Sequence, residues 1–397
     1  MLAYILLSLI AVYCIPKFII WVVRFRRTHS FVSKWPGPKA LPILGNIMDL
    51  GKNSFETGAF LVEEANRQLA AGNNVLRLWI GPRPLLVPLN GEALKPILDS
   101  IEEISKGADY DFITPWLGIG LLISTGSKWK SRRRMLTPTF HFAMLDGYVE
   151  KMDKHASILV DILEENDLDS QHNPSHPYVL AVGEFNTMSR DYSLNPWLWF
   201  PPVWFLFYHR RYTQLLNTLT GFTKQVIADR MQSIASGDES FTEEHGKRKV
   251  SHDTTSSAMA WTLWCLATNP DVQEKAYEDV HSVLGDAPRP ITVEDLKKMT
   301  YMERVIKEAL RIFPAVPMIQ RKMQKDFDMC GYTVPKGSDI MMIPLVVHHN
   351  RKEKLVVAKI LHRFSLHTDR KMMENGYGPE VVLRPSLGVP VTLKRRH

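Results

Sequence analysis

Cysteine is scarce in this 397-residue chain: only Cys14, Cys265 and Cys330 occur. Three scattered thiols cannot build a disulfide framework, and no CxxC spacing supports a zinc site. Such sparse thiol usage suits a reducing compartment. Low-complexity tracts and internal repeats are absent, which excludes solenoids and long polar tails. Net charge is a modest +7, and no basic run alternates with aromatics, so nucleic acid is excluded as a partner. What is abundant is apolar: 45% of residues are hydrophobic, enough for one large core.

Leu2 to Val23 is an apolar run interrupted mainly by Pro16 and Lys17, with Arg24, Arg26 and Arg27 directly after it. About 20 apolar residues cross a bilayer, and the arginines place the remainder of the chain in the cytoplasm. The expectation is an uncleaved anchor at 1–24 and contact with membrane lipid. A basic, Pro-rich linker comes next at 25–46, and a single domain fills 47–397. Trp35-Pro36-Gly37-Pro38 makes that linker stiff and extended.

Further along, period-2 runs either side of Gly81-Pro82-Arg83-Pro84 read as a hairpin. Trp116 to Leu122 reads as a Gly-rich loop, followed by a helix from Ser127. On that helix Trp129 and Arg133, four apart, share a face and form a natural clamp for a carboxylate or phosphate. A solvated basic face is the plainer alternative. The run NPWLWFPPVWFLFY, Asn195 to Tyr208, is strongly aromatic, and its adjacent prolines argue against a regular buried element. Asp253-Thr254-Thr255 heads an apolar helix, either as plain capping or as an acid and hydroxyl able to relay protons.

Met302, Val305, Ile306, Ala309, Leu310 and Phe313 recur at helical spacing, and Pro314 and Pro317 end that helix. Glu308 and Arg311, three apart, are within pairing reach as a surface brace. Strands are expected after Arg321, around Pro335-Lys336-Gly337, with a last hairpin over Val381 to Lys394.

Together WPGPKALPILGN, PWLGIGLLISTGSKWKSRRRMLTPTFHF, SHDTTSSAMAWTLWCLATNPDVQEKAYEDV, EALR and YTVPKGSDIMMIPLVVHHN resemble the haem-thiolate monooxygenases, the cytochromes P-450. Among these the chain is most similar to the microsomal fatty-acid ω-hydroxylase branch. The resemblance implies a mainly α fold with small β-sheets plus one transmembrane helix, seated in the endoplasmic reticulum membrane. It also implies haem b, an NADPH-dependent reductase, and hydroxylation of apolar small molecules such as fatty acids. By matching position, Trp129, Arg133 and Arg321 would hold haem propionates, and Asp253 and Thr254 would deliver protons. Glu308 and Arg311 would form the core pair, and Ala315, Val316 and Met318 would line the substrate pocket.

The chain departs from that pattern in one decisive respect. No Phe-x-x-Gly-x-Arg-x-Cys-x-Gly loop exists, so the axial thiolate that pushes electron density onto iron is missing. The sequence runs from His348-His349-Asn350 straight into RKEKLVVAKILHRF, and no residue serves as metal ligand unless one of those histidines substitutes. Matching blocks also break near 167–177 and 249–251, where Val250-Ser251 stands in place of Glu-Gly. Three gaps between clean matches read as skipped exons or faulty joins. A truncated, inactive product is therefore expected, or a haem-free lipid-binding relative.

Overall fold

The computed structural model describes residues 2–100, 105–140, 149–165, 177–236, 253–286, 289–342, 364–374, 377–379, 382–386 and 389–395. The first helix, α1 (Leu2–Val32), runs past the arginine cluster where a linker was expected. It continues because its end is buried: Val32 and Trp35 are 0% and 3% exposed and pack with Trp79 and Ile340. Arg27 pairs with Asp326 at 2.8 Å and fastens the same end. The expected membrane span is not found: among the described residues no helix is long and apolar enough to cross a membrane.

The hairpin forms as the spacing predicts, with β1 (Val75–Ile80) antiparallel to β2 (Arg83–Pro88). Its turn is only Gly81-Pro82, so Arg83 already faces Ile80 in the ladder. The sheet is completed by residues far away in sequence. β3 (Ile319–Lys322) pairs antiparallel with β6 (Asp339–Met342), and β6 lies parallel to β2. The small hairpin β4 (Phe327–Met329) and β5 (Tyr332–Val334) sits between them in sequence. At the carboxyl end β7 (Phe364–His367) pairs with β10 (Thr392–Arg395), and β8 (Tyr377–Pro379) with β9 (Leu383–Pro385). The last strand therefore closes onto β7 and not into its own hairpin.

Helices cover the rest. α2 (Ser54–Ala70) and α3 (Gly91–Leu98) start on Asn53 and Asn90, whose side chains accept from backbone amides in the first turn. α4 (Tyr110–Leu117) takes in Trp116, which was read as loop. Next come α5 (Gly126–Leu136), α6 (Val149–Glu165) and α7 (Pro177–Leu194). The aromatic run then folds as a 3-10 turn, Pro196–Trp199, and a helix, α8 (Pro201–Phe207). Its prolines occupy the first helical turn, where no amide hydrogen is needed, so they start the helix. α9 (His209–Ser236) comes directly after it.

Three helices form the main helical core: α10 (Asp253–Ala267), α11 (Pro270–Leu284) and α13 (Thr300–Ile312), the last preceded by the short α12 (Val293–Lys298). The stripe Met302, Val305, Ile306, Ala309 and Leu310 is buried, as its periodicity requires. Trp261 of α10 stacks on Phe313 with ring centroids 4.0 Å apart, and both are at most 1% exposed. The expected breaks at 167–177, 249–251 and 350–351 fall on or beside segments outside the described residues, as do His348 and His349.

Candidate functional site

Two charged side chains from distant parts of the chain meet at the β3 edge of the sheet. Residues 105–107 add onto the edge of β3: Lys322 N donates to Ser105 O at 3.0 Å and Gly107 N to Gln320 O at 3.3 Å. Glycine is needed at 107, since a Cβ there would lie 2.1 Å from Gln320 Oε1. The result is an antiparallel bridge that sets Lys106 opposite Arg321. Like charges placed directly across a ladder repel, and an anion bound between them would offset that repulsion.

Both cations are half-buried. Burial lowers the Lys106 ammonium pKa below its usual value, and the Arg321 charge lowers it further. Burial also lowers that of Arg321. Tyr110, with Lys106 Nζ 5.5 Å from its ring centroid, is pushed up, chiefly by burial. Guanidinium and ammonium donors side by side on a partly dry surface suit a carboxylate, including a haem propionate. Arg321 was expected in that role from sequence. Lys106 was not, because only the bridge to a strand 200-odd residues away brings it there.

The other candidates lie on different elements. Trp129 and Arg133 lie on α5, which buries none of its residues; Trp129 is half-buried and Arg133 exposed. Asp253 is the first residue of α10 and Thr254 is exposed next to it. Ala315 is 3% exposed and packs into the helical core, whereas Met318 packs against the sheet with Leu50 and Leu85. Val316 between them is half-buried. The extended Pro-rich exit from α13 thus straddles two cores.

Glu308 and Arg311 do pair, through Nε to Oε2 at 2.7 Å and Nη2 to Oε1 at 2.6 Å. Their side chains are 55% and 58% exposed, because the buried stripe of α13 faces the other way. The Arg311 hydrogen bond holds the Glu308 carboxyl below its usual pKa. In this chain the pair is placed as a surface brace.

A thiolate-ligated haem is held by a cysteine in a sheltering loop, and its iron favours the thiolate. Cys265 lies instead on the helix α10, where burial, with a smaller contribution from the Glu308 carboxylate, pushes its thiol up to about 12. Cys330 is also raised, first by burial and then by Glu92 and Asp328. Cys14 lies on α1 in the apolar amino-terminal run. No group of three or more His, Cys, Asp and Glu suited to a metal occurs among the described residues. The anion-binding side of a haem site fits this chain, and the thiolate side does not.

Comparison with known proteins agrees with the sequence reading. The family profile "Cytochrome P450" matches residues 35–175 and 250–353. Cytochrome P450 4V2 of Mus musculus is 30% identical, with 93% of this chain and 92% of that protein covered. The Homo sapiens protein of that name is also 30% identical, covering 94% and 93%. Cytochrome P450 4c3 of Drosophila melanogaster is 28% identical, covering 86% and 78%. The alignment with the mouse protein runs over 491 positions, more than the 397 residues of this chain, so that relative carries segments with no counterpart here.

Proposed function

Because the chain belongs to the cytochrome P450 family, we propose that it is a non-catalytic form of a monooxygenase acting on apolar substrates such as fatty acids. In the family a haem b held by a cysteine thiolate supplies the redox chemistry, fed by an NADPH-dependent reductase. The observation that carries the proposal is the lack of any Phe-x-x-Gly-x-Arg-x-Cys-x-Gly loop in the sequence. None of the three cysteines stands in such a loop, and no cysteine occurs beyond Cys330 in the sequence.

What this chain's residues do is bind and position. Lys106 and Arg321 offer a half-buried pair of cations to a carboxylate. Ala315, Val316 and Met318 offer apolar surface, and Trp129 with Arg133 offers an open clamp on α5. Asp253 and Thr254 head α10, with a proton-relay role that has nothing to serve in the absence of the thiolate. The endoplasmic reticulum membrane, with the body on its cytoplasmic side, belongs to the same reading. Its support is the family and the relatives aligned over most of the chain, and alkaline extraction of membranes tests it.

A second reading, a haem-free binder of fatty carboxylates, is favoured by the Lys106–Arg321 pair alone. Titration of the purified chain with a fluorescent fatty acid separates the two. Saturable binding lost in Lys106→Gln and Arg321→Gln supports the second reading, and no binding refutes it.

A further inference from the structure

Arg83, at the start of β2, holds contacts that neither the sheet nor the cation pair requires. Its side chain is 20% exposed, and Nη2 donates to Asp109 Oδ1 at 2.7 Å. The same guanidinium lies 4.9 Å from the centroid of the Trp199 ring, on the 3-10 turn. Arg83 Nε is buried without a hydrogen-bond partner, a cost accepted only where the other contacts fix the group in place. Asp109 is fixed in turn: its Oδ2 accepts from Gln320 Nε2 at 2.7 Å, and its backbone N–H donates to Gln320 Oε1 at 3.2 Å. Trp199 Nε1 donates to Tyr192 O at 2.7 Å. One guanidinium therefore links β2, the head of α4, β3 and the turn before α8.

The segment at the far end of this linkage is apolar on both sides. Leu198 is buried, and Trp204 lies edge-on to Phe112 and Tyr192. Outward, Trp197, Phe205, Leu206 and Phe207 are 63–74% exposed. Hydrophobic attraction is non-directional, so it does not by itself choose one seat for a segment greasy on both faces. Directional contacts must choose it: Trp199 Nε1 bonds Tyr192 O on one side, and Arg83 over the Trp199 ring supplies the contact to the hairpin.

We propose that Arg83 is a clasp: through Asp109 and Trp199 it holds Pro196–Phe207 down on the β1–β2 hairpin, and its release frees that segment as a unit. Beneath the clasp Leu194, Trp199 and Met318 pack on the sheet core with Leu50 and Leu85. Release uncovers that apolar surface to an incoming apolar ligand. This last consequence rests on reading Met318 as a pocket wall, whereas the clasp itself does not.

Amide hydrogen exchange on the full chain tests it. A helix of only 7 residues does not persist once unseated, so the amides of Phe200, Val203 and Trp204 within the segment, and of Tyr208 just after it, lose their local hydrogen bonds and report the release. Arg83→Gln or Trp199→Leu should speed their exchange about tenfold, as loss of a half-buried cation–π contact implies. The double variant should add nothing beyond the larger single effect, and α11 and α13 should keep parental rates. Asp109→Asn, which keeps the backbone contact to Gln320, should act in the same direction if Arg83→Gln does not fold. Unchanged exchange at these four amides overturns the clasp, as do additive effects or equal acceleration throughout the chain. Faster exchange without faster entry of an apolar fluorescent probe would keep the clasp and overturn only the access role.

Discussion

Cys265 is the cysteine best placed to be mistaken for a ligand, and its chemistry can be worked out in advance. It lies on α10 beside the Trp261, Trp264 and Phe313 cluster and within the field of the Glu308 carboxylate. Both surroundings disfavour negative charge, and burial is the larger effect. The thiol moves from its usual 9.0 to about 12. At fixed pH below both values, about a thousandfold less thiolate is present than for a free cysteine. Alkylation of the full chain with iodoacetamide, followed residue by residue by mass spectrometry, reads this directly. The Cys265 rate should be about three orders of magnitude below that of a cysteine peptide at pH 8. It should rise about tenfold per pH unit with no plateau through pH 10. Glu308→Gln should quicken it only slightly, since it removes the smaller cause. The same shift predicts a loss of stability above pH 9, where the unfolded thiol has lost its proton and the folded one has not. A plateau below pH 9 would refute the reasoning.

Three further outcomes are expected. Trp261→Ala removes the ring stacked on Phe313 from a fully buried site and should cost about 3–5 kcal/mol in urea denaturation; a loss below about 1 kcal/mol would contradict the packing. Gln273→Leu deprives Leu366 of both backbone partners, at 2.9 and 2.7 Å, and should cost about 1–3 kcal/mol while exposing the Leu366 amide to exchange. Gly45 sits at φ +67° with Trp79 O only 2.2 Å from any added Cβ, so Gly45→Ala should cost about 1–3 kcal/mol or more, read as a lowered thermal midpoint.

Local rules carried much of the fold. The stripe from Met302 to Leu310 and the strands flanking Gly81-Pro82 could be read because their periodicity and turn chemistry are self-contained. The prolines at 201 and 202 misled in the other direction: they are poor inside a helix and favourable at its start, and only the helix boundary distinguishes the two. Long-range pairings left no sequence trace. Nothing local tells that Leu85 faces Asp339, that β10 returns to β7, or that Lys106 stands across from Arg321. Of the site, the scarcity of cysteine was legible by counting, and the half-buried cation pair was not. Glu308 and Arg311 were legible as a pair, but their exposure depends on which face of α13 is turned inward.

The central claim is that this chain retains an anion-binding cradle and lacks the thiolate that would complete a haem-thiolate centre. The full 397-residue chain, expressed with haem supplied, reduced and exposed to carbon monoxide, tests it most directly. The account predicts no thiolate-type Soret band. An imidazole-type band abolished in the His348→Ala/His349→Ala double variant would assign any bound haem to those histidines and leave the claim standing. A thiolate-type Soret band from this chain would contradict it.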